Sequence, residues 1–94
     1  MPQLVFTYTG QLAAAAGAAE EAIEVAPGAT LRSALDFLAA RHGEAYARHL
    51  FHSDGRMRST LLVVFDGEQA AGDKESLMLD GVGTVMLMTP IAGG

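Results

Sequence analysis

Apolar and polar positions follow each other along this chain in patterns that predict strands at both ends and helices between them. In Leu4-Val5-Phe6-Thr7-Tyr8-Thr9, β-branched and aromatic residues precede Gly10, which predicts a first strand with Leu4, Phe6 and Tyr8 on one face. The Ala-rich stretch over 12–22 has high helix propensity but little length, so at most a turn or two is expected, ending near Gly17. Ala22-Ile23-Glu24-Val25 alternates again before Pro27-Gly28, predicting a second strand that returns beside the first with Ile23 and Val25 toward the core. The clearest helix starts at Thr30, a potential N-cap, and carries Leu31, Ala34, Leu35 and Leu38 three and four residues apart before Arg41, His42 and Gly43 close it. A shorter helical stretch from Glu44 to Leu50 or Phe51 leads into the loop His52-Ser53-Asp54-Gly55. Leu61 to Phe65 is a continuous apolar strand ended by Asp66-Gly67, a favoured two-residue hairpin turn, with Glu68 to Ala71 as the return. After a turn at Asp80-Gly81-Val82-Gly83, the last strand Thr84-Val85-Met86-Leu87-Met88 is apolar on both faces and is expected in the middle of the sheet, with Pro90 stopping it.

The order is two strands, a helix, then strands again, an α+β layout with one main helix packed across a mixed sheet. The first and last strands are the natural central pair. If they run parallel, the chain between them supplies the long crossover that parallel pairing requires, and the topology is a ubiquitin-like β-grasp. No repeat, linker or charge run divides the sequence, so residues 1–94 are expected to form a single domain, with 89–94 as an extended tail.

Composition removes several classes of function. Eleven Asp and Glu against six Lys and Arg give a formal charge of -5, and a nucleic-acid binder needs the opposite balance. Apolar runs stay well short of the roughly 18 residues of a membrane span. Met1-Pro2-Gln3 leads into the first strand without a charged start and apolar stretch, so the cytoplasm is the expected compartment. With no Cys, the chain offers no disulfide, thiolate ligand or thiol nucleophile. His49 and His52 could share a helical face, but two His without a third ligand make a weak metal site, and none is expected. Met86 and Met88 read first as core packing, with Met88 the one worth testing as a contact. Gly81-Val82-Gly83 lacks the Lys and following helix of a phosphate loop. Glu20, Glu21, Asp73, Glu75 and Asp80 read as surface-solvating charges, and Lys74, the one lysine, as a solvated loop residue. Ser53, Ser59 and Ser76 with the scattered His and Asp form no nucleophile arrangement.

The chemistry is expected at the C-terminus. After Pro90 the chain ends Ile91-Ala92-Gly93-Gly94, and two glycines give the narrowest cross-section with no Cβ to obstruct a close approach. Composition alone puts a Gly pair at these positions at about 1 to 2%, so coincidence is disfavoured. A carboxylate threaded into another protein's active site is a poor acyl donor until ATP converts it to an acyl-adenylate. A sulfur nucleophile can then displace the adenylate and leave a thiocarboxylate on Gly94.

The ending from Leu79 through Asp80-Gly81, Thr84-Val85-Met86-Leu87-Met88, Pro90 and Gly93-Gly94 resembles the closing signature of the ubiquitin-like MoaD/ThiS sulfur carriers. Upstream, Gly17, Glu20-Glu21-Ala22-Ile23-Glu24-Val25 and Pro27-Gly28-Ala29-Thr30-Leu31 are similar to the first half of the molybdopterin synthase small subunit, the closest in pattern. The resemblance implies a carrier without a catalytic site of its own, or the small subunit of a sulfurtransferase complex such as molybdopterin synthase. It implies two partners, an E1-like adenylating enzyme that uses ATP and a sulfur-acceptor enzyme such as the molybdopterin synthase large subunit. The carrier itself binds no cofactor. Gly94 would be the adenylation and thiocarboxylate site and Gly93 would support tail entry, while Pro90, Ile91, Ala92 and Met88 would contact the partner. Two departures stand out. The family's Gly-Asp-Glu-Val turn is replaced by Gly81-Val82-Gly83-Thr84-Val85, and the loop over 52–60 is longer than in compact thiamine-type carriers. Carriers for cysteine, thiamine or another thio-metabolite, and ubiquitin-like protein modifiers, share the same tail logic.

Overall fold

The computed structural model describes residues 3–89 of the chain. Five strands form one mixed sheet: β1 (Gln3–Tyr8), β2 (Glu20–Glu24), β3 (Leu62–Phe65), β4 (Glu68–Gln69) and β5 (Thr84–Met88), in the order β2-β1-β5-β3-β4. Strands β1 and β5 pair in parallel at the centre with Phe6 opposite Val85, and the other neighbours are antiparallel. The expected ubiquitin-like β-grasp is therefore the fold. Three helices lie in the long crossover: α1 (Gly10–Ala16), α2 (Leu31–His42) and α3 (Glu44–Leu50).

Local chemistry explains the helix boundaries. The Ala-rich run makes two turns and stops where Gly17 enters the left-handed region at φ 78°, its N–H bonding back to the Ala13 and Ala14 carbonyls. The α2 start is a reciprocal capping box, in which Thr30 Oγ1 accepts from the Ser33 N–H at 3.1 Å and Ser33 Oγ accepts from the Thr30 N–H at 3.1 Å. Leu31 N–H also donates to the Leu77 carbonyl at 2.8 Å, tying the helix start to the segment after the 3₁₀ turn Lys74–Ser76.

The core lies between α2 and one face of the sheet. Leu31, Ala34, Leu35 and Leu38, the predicted stripe, are buried against Leu4, Phe6, Tyr8, Ile23, Val63, Val85 and Leu87. The sheet's other face has no helical layer among the described residues, and this corrects the expectation for β5. Its central position is as expected, but it is not buried on both sides: Val85 and Leu87 are covered, whereas Met86 is 37% exposed and Met88 only half-buried. The packing role expected of Met86 therefore fails. Two smaller corrections concern strand bounds. Strand β2 begins two residues earlier than its alternation suggested, at Glu20, and the hairpin return is limited to Glu68–Gln69.

One polar network lies where α2, α3, β1 and β2 meet. Buried Tyr46 donates its hydroxyl to the Tyr8 hydroxyl at 3.0 Å, and Tyr8 donates to Glu21 Oε1 at 2.6 Å. His42 Nε2 also bonds Glu21 Oε1, and Arg41 reaches Oε2 at 3.3 Å. The tyrosine rings meet edge to face at 5.6 Å. Glu21 is thus a half-buried hub and not the solvating charge its sequence context suggested. Burial pushes the Glu21 carboxyl up, but the hydrogen bonds from Tyr8, His42 and Arg41 and the charge of His42 outweigh it and hold the group below its usual 4.5. Burial, reinforced for Tyr8 by the bond to Glu21, pushes both tyrosine hydroxyls far above their ordinary range, so they remain donors.

Two stability predictions follow from this packing. Leu35→Ala removes a fully buried side chain from the α2 stripe and is expected to cost about 2–5 kcal/mol in urea unfolding, a large share of the roughly 5–15 kcal/mol of a domain of this size. For Glu21 the folded pKa is depressed, so between the folded value and about 4.5 the unfolded chain binds more protons and stability rises with pH. The contribution is present above 4.5 and lost as pH falls through the folded value. Urea midpoints of the native chain and Glu21→Gln should therefore differ most near neutrality and converge on acidification.

Candidate functional site

The C-terminal strand leads to the tail, and its start is clamped. The β3–β4 turn is Asp66-Gly67 with both residues at positive φ, 49° and 89°, as a tight hairpin of this type requires. That turn aims the Asp66 carboxylate back at β5. Its Oδ1 accepts from Gly83 N–H at 3.0 Å, Thr84 N–H at 2.9 Å and the Thr84 hydroxyl at 3.3 Å. These bonds, from Thr84 first and then Gly83, hold the exposed carboxyl below the usual carboxylate range. The departure Gly81-Val82-Gly83-Thr84 from the family turn thus has a physical content, because the clamp uses backbone N–H groups. A Cβ on Gly83 would lie 3.2 Å from Asp66 Oδ1, so glycine leaves room for the carboxylate. Pattern reasoning took Asp66 as turn chemistry alone; its second role depends on β3 and β5 being neighbours.

Strand β5 then runs between β1 and β3 to Met88 and Thr89. Met88 sits opposite Leu62, and Met86 is flanked by Thr7 on β1 and Val64 on β3. All five lie on the uncovered face, where Leu62 is 45% exposed. The expected contact residue Met88 therefore belongs to an apolar patch at the end of the central strand, together with Met86, which the sequence assigns to packing, and Leu62, which it does not single out. The remaining expected site residues, Pro90, Ile91, Ala92, Gly93 and Gly94, lie outside the described residues. His49 is on α3 and His52 follows it in the loop, and no group of three or more His, Asp or Glu with metal-binding geometry occurs among the described residues. No helix among the described residues is long and apolar enough to cross a membrane.

A single α-helical layer over a mixed sheet with a parallel central pair, whose last strand leads into a Gly-Gly end, defines the ubiquitin-like β-grasp class. The chain belongs to the ThiS family, whose model matches residues 6–94. Among solved structures it is similar to small archaeal modifier protein 1 of Haloferax volcanii, at 27% identity and a TM-score of 0.82 over 98% of this chain and 99% of that one. It is also similar in fold to a Pyrococcus furiosus protein named as molybdopterin converting factor, subunit 1, at 19% identity and a TM-score of 0.64 over 97% of this chain and all of the other. No curated protein sequence matches it.

The clamp makes a specific prediction. Asp66→Ala and Gly83→Ala should each speed amide hydrogen exchange at Gly83 and Thr84, since one removes the acceptor and the other displaces it. Because both act on the same bonds, the double variant should lose less stability than the two single losses added together, measured by urea unfolding.

Proposed function

We propose that this protein is a sulfur carrier whose reactive group is the Gly94 carboxylate. The observation that carries this reading is the family match running through Gly93-Gly94 on a domain whose central strand leads straight into that tail. In the proposed cycle a Gly94 carboxylate oxygen attacks the α-phosphorus of ATP in an E1-like enzyme, and pyrophosphate leaves. A sulfur nucleophile supplied to that enzyme then attacks the acyl carbon and expels AMP, which leaves a thiocarboxylate. In the acceptor enzyme the thiocarboxylate sulfur attacks the substrate to form an acyl–sulfur bond, and water hydrolyses that bond, which leaves the sulfur on the substrate and returns Gly94 to a carboxylate. The pathway we assign is molybdopterin synthesis in the cytoplasm, with this chain as the small subunit beside a larger acceptor subunit. The carrier contributes recognition and a slender tail, with Gly93 at the narrow entry and Met88, Pro90, Ile91 and Ala92 against the partner. The adenylating partner supplies ATP chemistry.

A second reading is favoured by the similarity to a small archaeal modifier protein. The same activated Gly94 could pass to a lysine amine and form an isopeptide bond, making the chain a protein modifier. The two readings separate on the product, since a thiocarboxylate stays at the mass of the single chain and an isopeptide adduct survives denaturant and reductant at a higher mass.

Intact mass after incubation with ATP, a sulfur source and the cognate E1-like enzyme tests the first reading. The expected result is an ATP-dependent gain equal to replacing one oxygen by sulfur, localised to the Gly94 peptide. Deleting Gly94 should abolish the gain while leaving urea unfolding unchanged, because the last residue of the described core, Leu87, lies well before the terminal glycine. Full modification of the truncated chain, or no gain in the native chain, would overturn the assignment.

A further inference from the structure

Half of the chain's six Lys and Arg side chains are internally paired with carboxylates. Arg32 meets Asp36 and Glu75, Arg41 meets Glu21, and Arg56 meets Asp54. Arg48, Arg58 and Lys74 have no carboxylate in ion-pair range among the described residues; Lys74 Nζ donates to the Ser59 carbonyl at 3.4 Å, and the two arginines are tied to each other. Arg58 Nε donates to the Arg48 carbonyl at 2.6 Å, and the Arg58 N–H donates to the Leu50 carbonyl at 2.8 Å, so the segment after α3 is laced to the end of that helix.

Both arginines line a shallow cleft of about 360 Å³ with His49, Thr60 and Thr89, and they also reach a second of about 250 Å³ whose lining includes the Glu44 carboxylate, Phe51, His52 and Ser53, so the cationic wall without an acid is that of the larger cleft. Thr89 is the residue that follows β5, so the larger cleft opens where the chain leaves the sheet. Its wall is two guanidiniums, an imidazole and two hydroxyls. Burial, then the charges of Arg48 and Arg58, hold His49 below its ordinary range, so near neutrality it adds a neutral hydrogen-bonding ring between two fixed cations.

Two adjacent unpaired guanidiniums repel each other, and an anion between them relieves that repulsion through charge-assisted bonds. The larger cleft has charged and polar groups along its wall and no Phe, Tyr, Leu, Ile or Val in its lining, which favours an anion held by hydrogen bonds. Thr89 precedes the tail residues in the chain and lines the cleft, so an enzyme that takes hold of the tail comes within reach of these arginines. Against a net charge of -5, a cleft with two unpaired guanidiniums can select the orientation in which an acidic surface docks.

We propose that the Arg48, Arg58 and His49 cleft docks an acidic segment of the enzyme that adenylates Gly94, one or two Asp or Glu carboxylates gripped by the two guanidiniums while the tail enters the active site. The proposal rests on the sulfur-carrier reading and adds the chemistry of the partner surface. The contact forms before and during activation alike, so it acts on encounter and binding and leaves the chemical step untouched.

The test is steady-state adenylation by the cognate E1-like enzyme, followed as pyrophosphate release against the concentration of the intact carrier. Arg48→Glu is expected to raise KM for the carrier about tenfold or more and Arg58→Gln to raise it less, with kcat within about twofold of the native chain. The native KM should rise with ionic strength and that of Arg48→Glu should rise less steeply. Arg56→Glu makes the same charge change on an exposed arginine paired to Asp54 and should leave KM unchanged. Urea unfolding of each variant controls for folding. An unchanged KM in both cleft variants, or an equal rise in Arg56→Glu, overturns the docking site while the sulfur-carrier reading stands. No pyrophosphate release from the native chain overturns that reading and the docking site with it.

Discussion

The parallel pairing of β1 with β5 is the constraint on which the rest of the structure depends. Parallel neighbours cannot be joined by a tight turn, so the chain between Tyr8 and Thr84 has to travel out and back. That journey holds all three helices and the other three strands. The pair it closes is the best buried part of the sheet, with Phe6 and Val85 opposite each other and both fully buried. Because β5 is hydrogen-bonded on both edges, to β1 and β3, its backbone is satisfied along its length and the chain can leave it only at its end. The position of Thr89, and so the point from which the last residues start, is a consequence of sheet order.

Among the described residues the sheet is covered on one side only, and this is the second determinant. Helix α2 buries its stripe on the face carrying Phe6, Val85 and Leu87, and the pleat of each strand sends the intervening residues the other way. Those residues are not the polar set that an open antiparallel face usually carries. Val5, Val64, Met86, Met88 and Leu62 make it apolar. Stability and surface chemistry are thereby assigned to alternate positions of the same strands. A residue such as Met86 can answer to binding without a cavity forming in the core.

Most of the architecture was legible in the sequence because local signals agreed with it. The Leu31, Ala34, Leu35 and Leu38 spacing, the Thr30 cap and the Asp66-Gly67 turn each carry their mechanism within a few residues. The parallel central pair was legible through its crossover length. What escaped notice depends on contacts between distant segments. Met86 looked like core because apolar residues on both faces of a strand usually mean two covering layers, and nothing local reports that one layer is missing. Glu21 sat in a run of acidic residues and could not be told from Glu20 until β1 and α2 brought Tyr8, His42 and Arg41 to it. The candidate site was legible as a tail motif, whereas the patch and clamp that surround its origin arise from strand neighbours.

Net charge is the quantity the fold reinterprets most. A formal -5 suggests a diffusely acidic surface, yet many of the carboxylates are engaged internally. Glu21 anchors the tyrosine network, Asp66 clamps β5, Asp80 accepts from the Gly28 N–H, Asp73 caps the 3₁₀ turn, and Glu75 accepts from Arg32 and the Met57 N–H. Arginines consumed by such carboxylates contribute little field of their own. Of the cations without a carboxylate partner among the described residues, Arg48 and Arg58 sit together at one end of the sheet, so the local field there has the opposite sign to the average. A partner approaching this molecule meets a charge pattern, and the sign it meets beside Thr89 is set by which arginines the fold has left without an acid.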